Sequence, residues 1–394
     1  MSDVEFGLRS GESWRDPFPM YRDLRDHDPV HHVPAGDSHG GFWFLSRFAD
    51  VFDAARDTGT FSSARGLTVE PGTGVDMGEA TPIVFLDPPD HTAFRRLVGP
   101  EFTPRQVSDI EDDVRDFVVE RLERLVSEGG GDIVADLFKP LPSFVVAHYL
   151  GVPAEDRPLF DRWTEQIVAA AAQGRTDDPE SGIVDLLGYF GRLIERRRTD
   201  PGDDMVSQLV GLGEKQASVM WILGFAFTMV AGGNDTTTGM LGGSAVLLTE
   251  HQGERRRLLD NPGLIPNAVE ELLRLTSPVQ NLARTTTRDV DVGGTTIPAG
   301  ARVLLGYGSA NRDEREYGAN SERLDVGRPV ERMLTFGSGA HFCLGAAAAR
   351  LQARVALEEL LGRCPEFTVD GEGGAYATGN YVRRHTELPL SVTN

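Results

Sequence analysis

The stretch Phe336-Gly337-Ser338-Gly339-Ala340-His341-Phe342-Cys343-Leu344-Gly345 sets one cysteine among glycines, just before the alanine-rich run 346–349. It reads as a thiolate held for a metal. Gly337, Gly339 and Gly345 let the backbone turn tightly and approach a flat ligand without a Cβ clash, and a helix starting near Gly345 would aim unpaired N–H groups at the sulfur. Both effects are expected to favour the thiolate over the thiol. The plain alternative is a buried, inert cysteine in a glycine-rich turn. Glycines, His341 and Cys343 at this spacing ask for a common explanation that packing alone does not supply.

Position for position, the stretch resembles the haem-binding loop of the cytochrome P450 superfamily, in its soluble actinobacterial (bacterial class I) form. The resemblance extends over 17–390 and implies haem b (iron protoporphyrin IX), with Cys343 as the proximal iron ligand and Phe336, Gly337, His341 and Gly345 around the cofactor. A thiolate ligand pushes electron density onto iron and favours O–O cleavage, which suits oxygen activation better than reversible oxygen carriage. The implied fold is mainly α with a minor β region: the family's triangular prism, with haem between a long central helix and the cysteine loop. Length alone would allow two or three domains, whereas the resemblance implies a single one over 1–394.

Composition sets limits of its own. Lys+Arg 39 against Asp+Glu 60 gives a formal charge of -21, which opposes attraction to nucleic acid or anionic membranes. Of the two cysteines, Cys343 and Cys364, the first is committed to iron, so no disulfide framework remains, as expected of a reducing cytoplasm. Residues 1–16 mix charges with no apolar core and read as neither signal peptide nor anchor. The most apolar segment, 219–231, is too short to span a bilayer and runs into Asn234 and Asp235.

Helical periodicity marks 107–125, 159–172, 183–198, 216–249, 265–275 and 346–361, while strand patterns cluster at 41–45 and 283–306, with a turn at Gly293-Gly294. Gly- and Pro-rich stretches at 66–80 and 174–182 read as loops.

Asp90 is placed as the N-cap of a helix on which His91 and Arg95 share one face. A surface pair would give the same text. The resemblance assigns both to the haem propionates, together with Arg284 and His341, and a fixed guanidinium suits bidentate carboxylate contact better than an imidazole. Glu271, Arg274 and Arg328 match the family's structural triad. Glu314 stands where the family usually has proline, which leaves that turn open.

Gly232 and Gly233 lie deep in a helical pattern, where each glycine costs about 1 kcal/mol relative to alanine. The resemblance supplies a reason, a local widening above the haem, and assigns Asp235 and Thr236 as the acid–alcohol pair that relays protons. Pocket positions by the same resemblance are Thr228, Ala231, Gly232, Gln280, Leu282 and Tyr381, a mixed, mostly apolar wall suited to a lipophilic substrate.

No flavin, iron–sulfur or dinucleotide fingerprint is present, so the two electrons a monooxygenase needs come from outside. The resemblance implies a ferredoxin with an NAD(P)H-dependent ferredoxin reductase, with Arg96 and Arg350 on the cysteine side, and a cytoplasmic monomer that uses O2. Two other functions compete with this one: a peroxygenase driven by hydrogen peroxide, which normally dispenses with the acid–alcohol pair, and a non-catalytic haem-binding sensor or carrier.

Overall fold

A computed structural model describes residues 4–36, 39–69, 78–160, 162–163, 166 and 182–392. Its helices, in chain order, are α1 (Phe18–His27), α2 (Phe48–Arg56), α3 (Asp90–Val98), α4 (Pro104–Ser108), α5 (Glu111–Glu128), α6 (Pro140–Tyr149), α7 (Ile183–Thr199), α8 (Met205–Gly211), α9 (Val219–Glu250), α10 (Gln252–Asp260), α11 (Ile265–Thr276) and α12 (Ala346–Arg363). One-turn helices and short strands fill the connections. The periodicity at 107–125 resolves into two helices, α4 and α5, because the chain turns at Asp109 and Ile110. The pattern at 159–172 and the loop at 174–182 fall largely outside the described residues, as does much of 66–80.

The strands include β1 (Val30–Val33), β2 (Phe42–Leu45), β3 (Phe61–Ser62), β4 (Gly130–Asp132), β5 (Leu282–Thr286), β6 (Val290–Val292), β7 (Thr295–Ile297) and β8 (Arg302–Leu305). The largest sheet has the order β1-β2-β8-β5-β3 and is antiparallel except between β2 and β8. Its period of two is visible in β2. Phe42 and Phe44 pack with Met20, Tyr21 and Leu24 of α1, while Trp43 and Leu45 pack with Phe48 and Val51 of α2. This sheet carries Arg284 on β5, a strand held between β8 and β3.

The long helix α9 joins the two large hydrophobic clusters. Its first half packs Ile222, Phe225 and Val230 with Phe94 of α3 and Phe190 of α7, and its second half packs Met240, Leu241 and Leu248 with residues of α5, α11 and α12. The Ser218 hydroxyl caps it by accepting from the Trp221 N–H. Two of its glycines are required by close approach. A Cβ at Gly224 would lie 2.4 Å from the carbonyl oxygen of Ala80, and one at Gly239 would lie 2.6 Å from that of Arg383.

The widening expected near Gly232 and Gly233 is absent, since α9 is regular α-helix throughout. A π turn occurs instead at Val134–Phe138, whose last carbonyl accepts from the Thr238 hydroxyl of α9 at 3.0 Å. The helix-cap assignment shifts by one residue: Pro89 precedes α3 and Asp90 is its first residue, where a carboxylate still favours the positive helix end.

Behind the sheet, Glu271 and Arg274 are fully buried. Arg274 donates from Nε and Nη2 to the two oxygens of Glu271 at 2.7 and 2.8 Å, and from Nη1 to the carbonyls of Asn311 and Ser321. Arg328 completes the triad, Nε to Glu271 Oε1 at 3.1 Å. Every charge therefore has a partner, the condition under which a buried ion network is tolerated. At Glu314 the turn forms without proline, because Asp313 accepts from the Arg315 N–H and starts a one-turn helix, Glu314–Tyr317. Among the described residues, no helix is long and apolar enough to cross a membrane.

Candidate active site

The cysteine loop is built by its backbone. The Cys343 N–H donates to the Phe336 carbonyl at 2.8 Å, and the Phe342 N–H to that of Gly339 at 3.1 Å. Gly337 and Gly339 have φ of +67° and +70°, a conformation other residues rarely adopt, and Gly339 lies so close to α2 that a Cβ would be 3.0 Å from Arg56 Cα. Gly345 is different: it caps α12 with φ -82°, and a Cβ there would meet nothing within 4 Å, so neither the turn nor a protein neighbour requires glycine. Arg350 reinforces the loop by stacking over the Phe336 ring while pairing bidentately with Glu270 at 2.6 and 2.9 Å.

Cys343 opens onto a cavity of about 300 Å³. Around that opening the protein is dense, and burial pushes the thiol up; the Gly345 N–H, Arg95 and Arg350 pull it back only in part. The Gly345 N–H thus acts in the expected direction, favouring the thiolate, while burial is the larger influence.

Helix α9 also lines this cavity, through Thr228, Gly232, Gly233, Thr236 and Thr237 among others. The Thr236 hydroxyl donates to the Gly232 carbonyl at 3.0 Å, and a Cβ at Gly232 would meet nothing within 4 Å. Asp235, one residue before Thr236, does not line the cavity. Its Oδ1 lies 2.8 Å from Arg384 Nε, and burial pushes its carboxyl up while Arg384 and Lys139 hold it down. The expected acid–alcohol pair is therefore split between two faces of the helix, with only the alcohol in the cavity.

His91, Arg95, Arg284 and His341 all line the same cavity. Sequence spacing placed the first two on one helical face, and the fold brings the others to them. The His91 and His341 rings stand 4.2 Å apart, and His91 Nδ1 is buried without a partner. Burial, with Arg284, His91 and Arg95 close by, pushes His341 down to about 3, so it is neutral at ordinary pH; its Nε2 lies 3.2 Å from the Ser63 hydroxyl. Burial also lowers His91 and Arg95. Among the described residues lining the cavity there is no Asp or Glu. A cationic edge without counter-charge, a soft sulfur donor on one wall and a bare glycine on the other fit a flat dicarboxylate carrying a metal, which is the chemistry of haem b.

Other assignments need correction. Leu282 and Thr228 do line the cavity, but Ala231, Gln280 and Tyr381 do not. Ala231 is a helical step of about 100° away from Gly232. Gln280 is fully buried with its Nε2 turned back to the Ser277 carbonyl at 2.6 Å, and the Tyr381 carbonyl accepts from the Gln280 N–H. Sequence reasoning missed Arg384 and the apolar lining from Ile83, Val84, Val145, Tyr149, Phe225 and Met229. The run Ile83-Val84-Phe85 behind Pro82 was a legible signal for part of it. Of the two arginines placed on the cysteine side, Arg96 is exposed while Arg350 is held by Glu270.

The Cytochrome P450 family profile matches residues 246–372. Cytochrome P450 130 of Mycobacterium tuberculosis is 58% identical over 398 residues, covering 99% of this chain and 98% of the relative. Vitamin D(3) 25-hydroxylase of Pseudonocardia autotrophica is 36% identical over 392 residues, covering 98% and 96%. The crystal structure of CYP109E1 from Bacillus megaterium in complex with testosterone superposes with a TM-score of 0.86 at 31% identity, covering 97% of this chain and 99% of that one.

Proposed function

This chain belongs to the cytochrome P450 family and is a haem-containing monooxygenase, and on that premise we propose that Cys343 ligates the haem iron and that the substrate is a lipophilic organic molecule. The observation that carries this reading is that Cys343 and Thr236 line one cavity together with His91, Arg95, Arg284 and His341, with no carboxylate among the described lining residues. When bound, the haem supplies the activation of O2 and the insertion of one oxygen atom into the substrate.

The residues do the rest. Arg95 and Arg284 would pair with the carboxylates of the haem, and His91 and neutral His341 would hydrogen-bond to them, giving buried His91 and Arg284 the counter-charge that the described lining lacks. Ile83, Val84, Phe225 and Met229 exclude water and offer the substrate an apolar surface. The Thr236 hydroxyl holds a proton at the α9 wall, and Asp235 replenishes it from the Arg384 side. A peroxygenase would not need this arrangement, which favours the O2 route.

The relatives that hydroxylate vitamin D(3) or bind testosterone make sterols and secosteroids the first class to screen. Electrons come from a ferredoxin and its NAD(P)H-dependent reductase, with exposed Arg96 as a docking cation. On the same reading the chain acts as a cytoplasmic monomer, a single domain over 1–394.

The carbon monoxide difference spectrum of the dithionite-reduced protein, beside Cys343→Ser, tests the assignment. A red-shifted thiolate-type Soret band that is lost in the variant supports it. An imidazole-type band from freshly purified, folded protein overturns it.

A further inference from the structure

Asn311 follows the one-turn helix Tyr307–Ala310, is fully buried and does not line the Cys343 cavity, yet its amide reaches two separate segments that do. Its Nδ2 donates to the Ser277 hydroxyl at 2.7 Å and to the Thr335 hydroxyl at 3.0 Å, and its Oδ1 accepts from the Leu334 N–H at 2.7 Å. The Tyr317 hydroxyl lies 3.3 Å from the same oxygen. Two donors and two acceptor sites are the full capacity of a side-chain amide, and all four are engaged. The Asn311 carbonyl accepts from Arg274 Nη1 at 2.6 Å, so the buried triad fixes the backbone from which this side chain extends.

One arm ends on a conformation that has to be held. Ser277 is the only non-glycine among the described residues with positive φ, 36°, which persists only where its surroundings over-determine it. Its N–H donates to the Leu273 carbonyl, its hydroxyl donates to that of Arg274 at 2.8 Å, and its own carbonyl accepts from Gln280 Nε2 at 2.6 Å. From this turn the chain runs along the cavity, which Pro278, Val279 and Leu282 line. The other arm ends at the root of the cysteine loop. Thr335 lines the cavity and also donates to the Leu273 carbonyl at 2.8 Å, while the Leu334 carbonyl accepts from the Gly337 N–H at the start of the turn that carries Cys343.

We propose that Asn311 is a positioning residue of the haem site: with one amide it fixes Ser277 and Leu334, and so sets the apolar wall at 278–282 and the seat of Cys343 together. The inference rests on the haem reading given above. An apolar side chain of similar size at 311 leaves the Leu334 N–H and the Ser277 turn without their partner, in an interior where a bond left unmade costs more than a made one returns. The turn then relaxes toward ordinary backbone, which moves Val279 and Leu282, and the cysteine loop loses the anchor at its root. Because the support is shared, loosening either arm is felt on both sides.

The test compares Asn311→Leu with two single-arm variants, Ser277→Ala, at a position that does not line the cavity, and Thr335→Val, which keeps the shape of its side chain. Two quantities are read on the haem-loaded protein: the share of thiolate-type band in the ferrous carbon monoxide spectrum, and the dissociation constant of 4-phenylimidazole, an iron-ligating azole. Ser277→Ala, although it touches only the substrate-side turn, converts part of the thiolate-type band to the imidazole type and weakens the azole roughly tenfold. Thr335→Val moves both quantities in the same direction. In an Asn311→Leu background Ser277→Ala adds less than about twofold, since the shared support is already gone. Leu24→Ala, a core truncation in the cluster around α1, lowers the unfolding midpoint and moves neither quantity, which separates the proposal from a general loss of stability. If Asn311→Leu does not fold, the two single-arm variants carry the test. Both quantities unchanged in the folded variants, or a Ser277→Ala effect confined to the azole, overturn the proposal while a thiolate-type band in the wild type leaves the haem reading standing; an imidazole-type band in the wild type overturns both.

Discussion

Arg384 Nε lies 2.8 Å from Asp235 Oδ1, whereas the neighbouring Thr236 hydroxyl enters the cavity and donates to the Gly232 carbonyl. One residue on α9, Asp235, thus faces a cation and the next, Thr236, faces the cavity. Removing that cation as Arg384→Gln takes away an interaction that holds the Asp235 carboxyl down against burial. Its pKa rises, so the acid stays protonated to higher pH. The pH profile of product formed per NAD(P)H consumed shifts upward, while the haem spectrum without substrate is unchanged.

Thr236→Ala removes the hydroxyl at the cavity wall and leaves its shape nearly intact. Haem content and substrate-induced spectral shift are retained, and electrons are diverted to hydrogen peroxide. Product per NAD(P)H falls several-fold, measured together with peroxide.

Two glycines on one helix respond in opposite directions. Gly232→Ala places a methyl in open space and stabilises α9 by about 1 kcal/mol, while tightening the cavity above the cysteine loop. Gly224→Ala drives a methyl against the Ala80 carbonyl and destabilises by about 1–3 kcal/mol. Denaturant unfolding of the two variants distinguishes them, and the affinity of a bulky iron-ligating azole falls in Gly232→Ala.

Glu271→Leu strands Arg274 in the core and takes a carboxylate from Arg328. The expected loss is roughly 3–5 kcal/mol. It is read as a lowered denaturant midpoint, with haem lost as the fold opens.

His385 gives stability its own pH dependence. Burial, Arg383 of the same segment and Arg15 push it down to about 3 from 6.5, against a small upward pull from Glu12. The folded protein resists a proton that the unfolded chain accepts. This contribution is intact above pH 6.5 and is lost as pH falls from 6.5 toward 3, at up to about 1.4 kcal/mol per pH unit. His385→Phe flattens that part of the curve, measured as unfolding free energy in a buffer free of phosphate and carboxylates.

The helices α9, α11 and α12 were legible because their apolar residues recur over long, uninterrupted windows. Helix α6 was not. Its stretch Pro140-Leu141-Pro142-Ser143-Phe144-Val145-Val146-Ala147 contains two prolines and is apolar almost all round, so no periodic face stands out. The cysteine loop could be read because glycine and cysteine spacing is local. Arg384 could not, since only the fold brings residue 384 to residue 235. Gln280 failed for a different, local reason, its side chain having been captured by the Ser277 carbonyl three residues back.

The two contacts that require glycine on α9, at Gly224 against Ala80 and at Gly239 against Arg383, bracket the cavity-lining positions from Thr228 to Thr237. Fifteen residues of helix separate them, a fixed span of about 22 Å. The helix is keyed at both ends like a rail, so exchanging side chains at 228, 229 or 232 alters the room available without shifting the register of the rail itself. Apart from Thr236, whose hydroxyl is committed to the proton, such a stretch is a natural cassette for diversification: substrate range can drift at 228, 229 and 232 through single substitutions while the register of the helix is inherited unchanged.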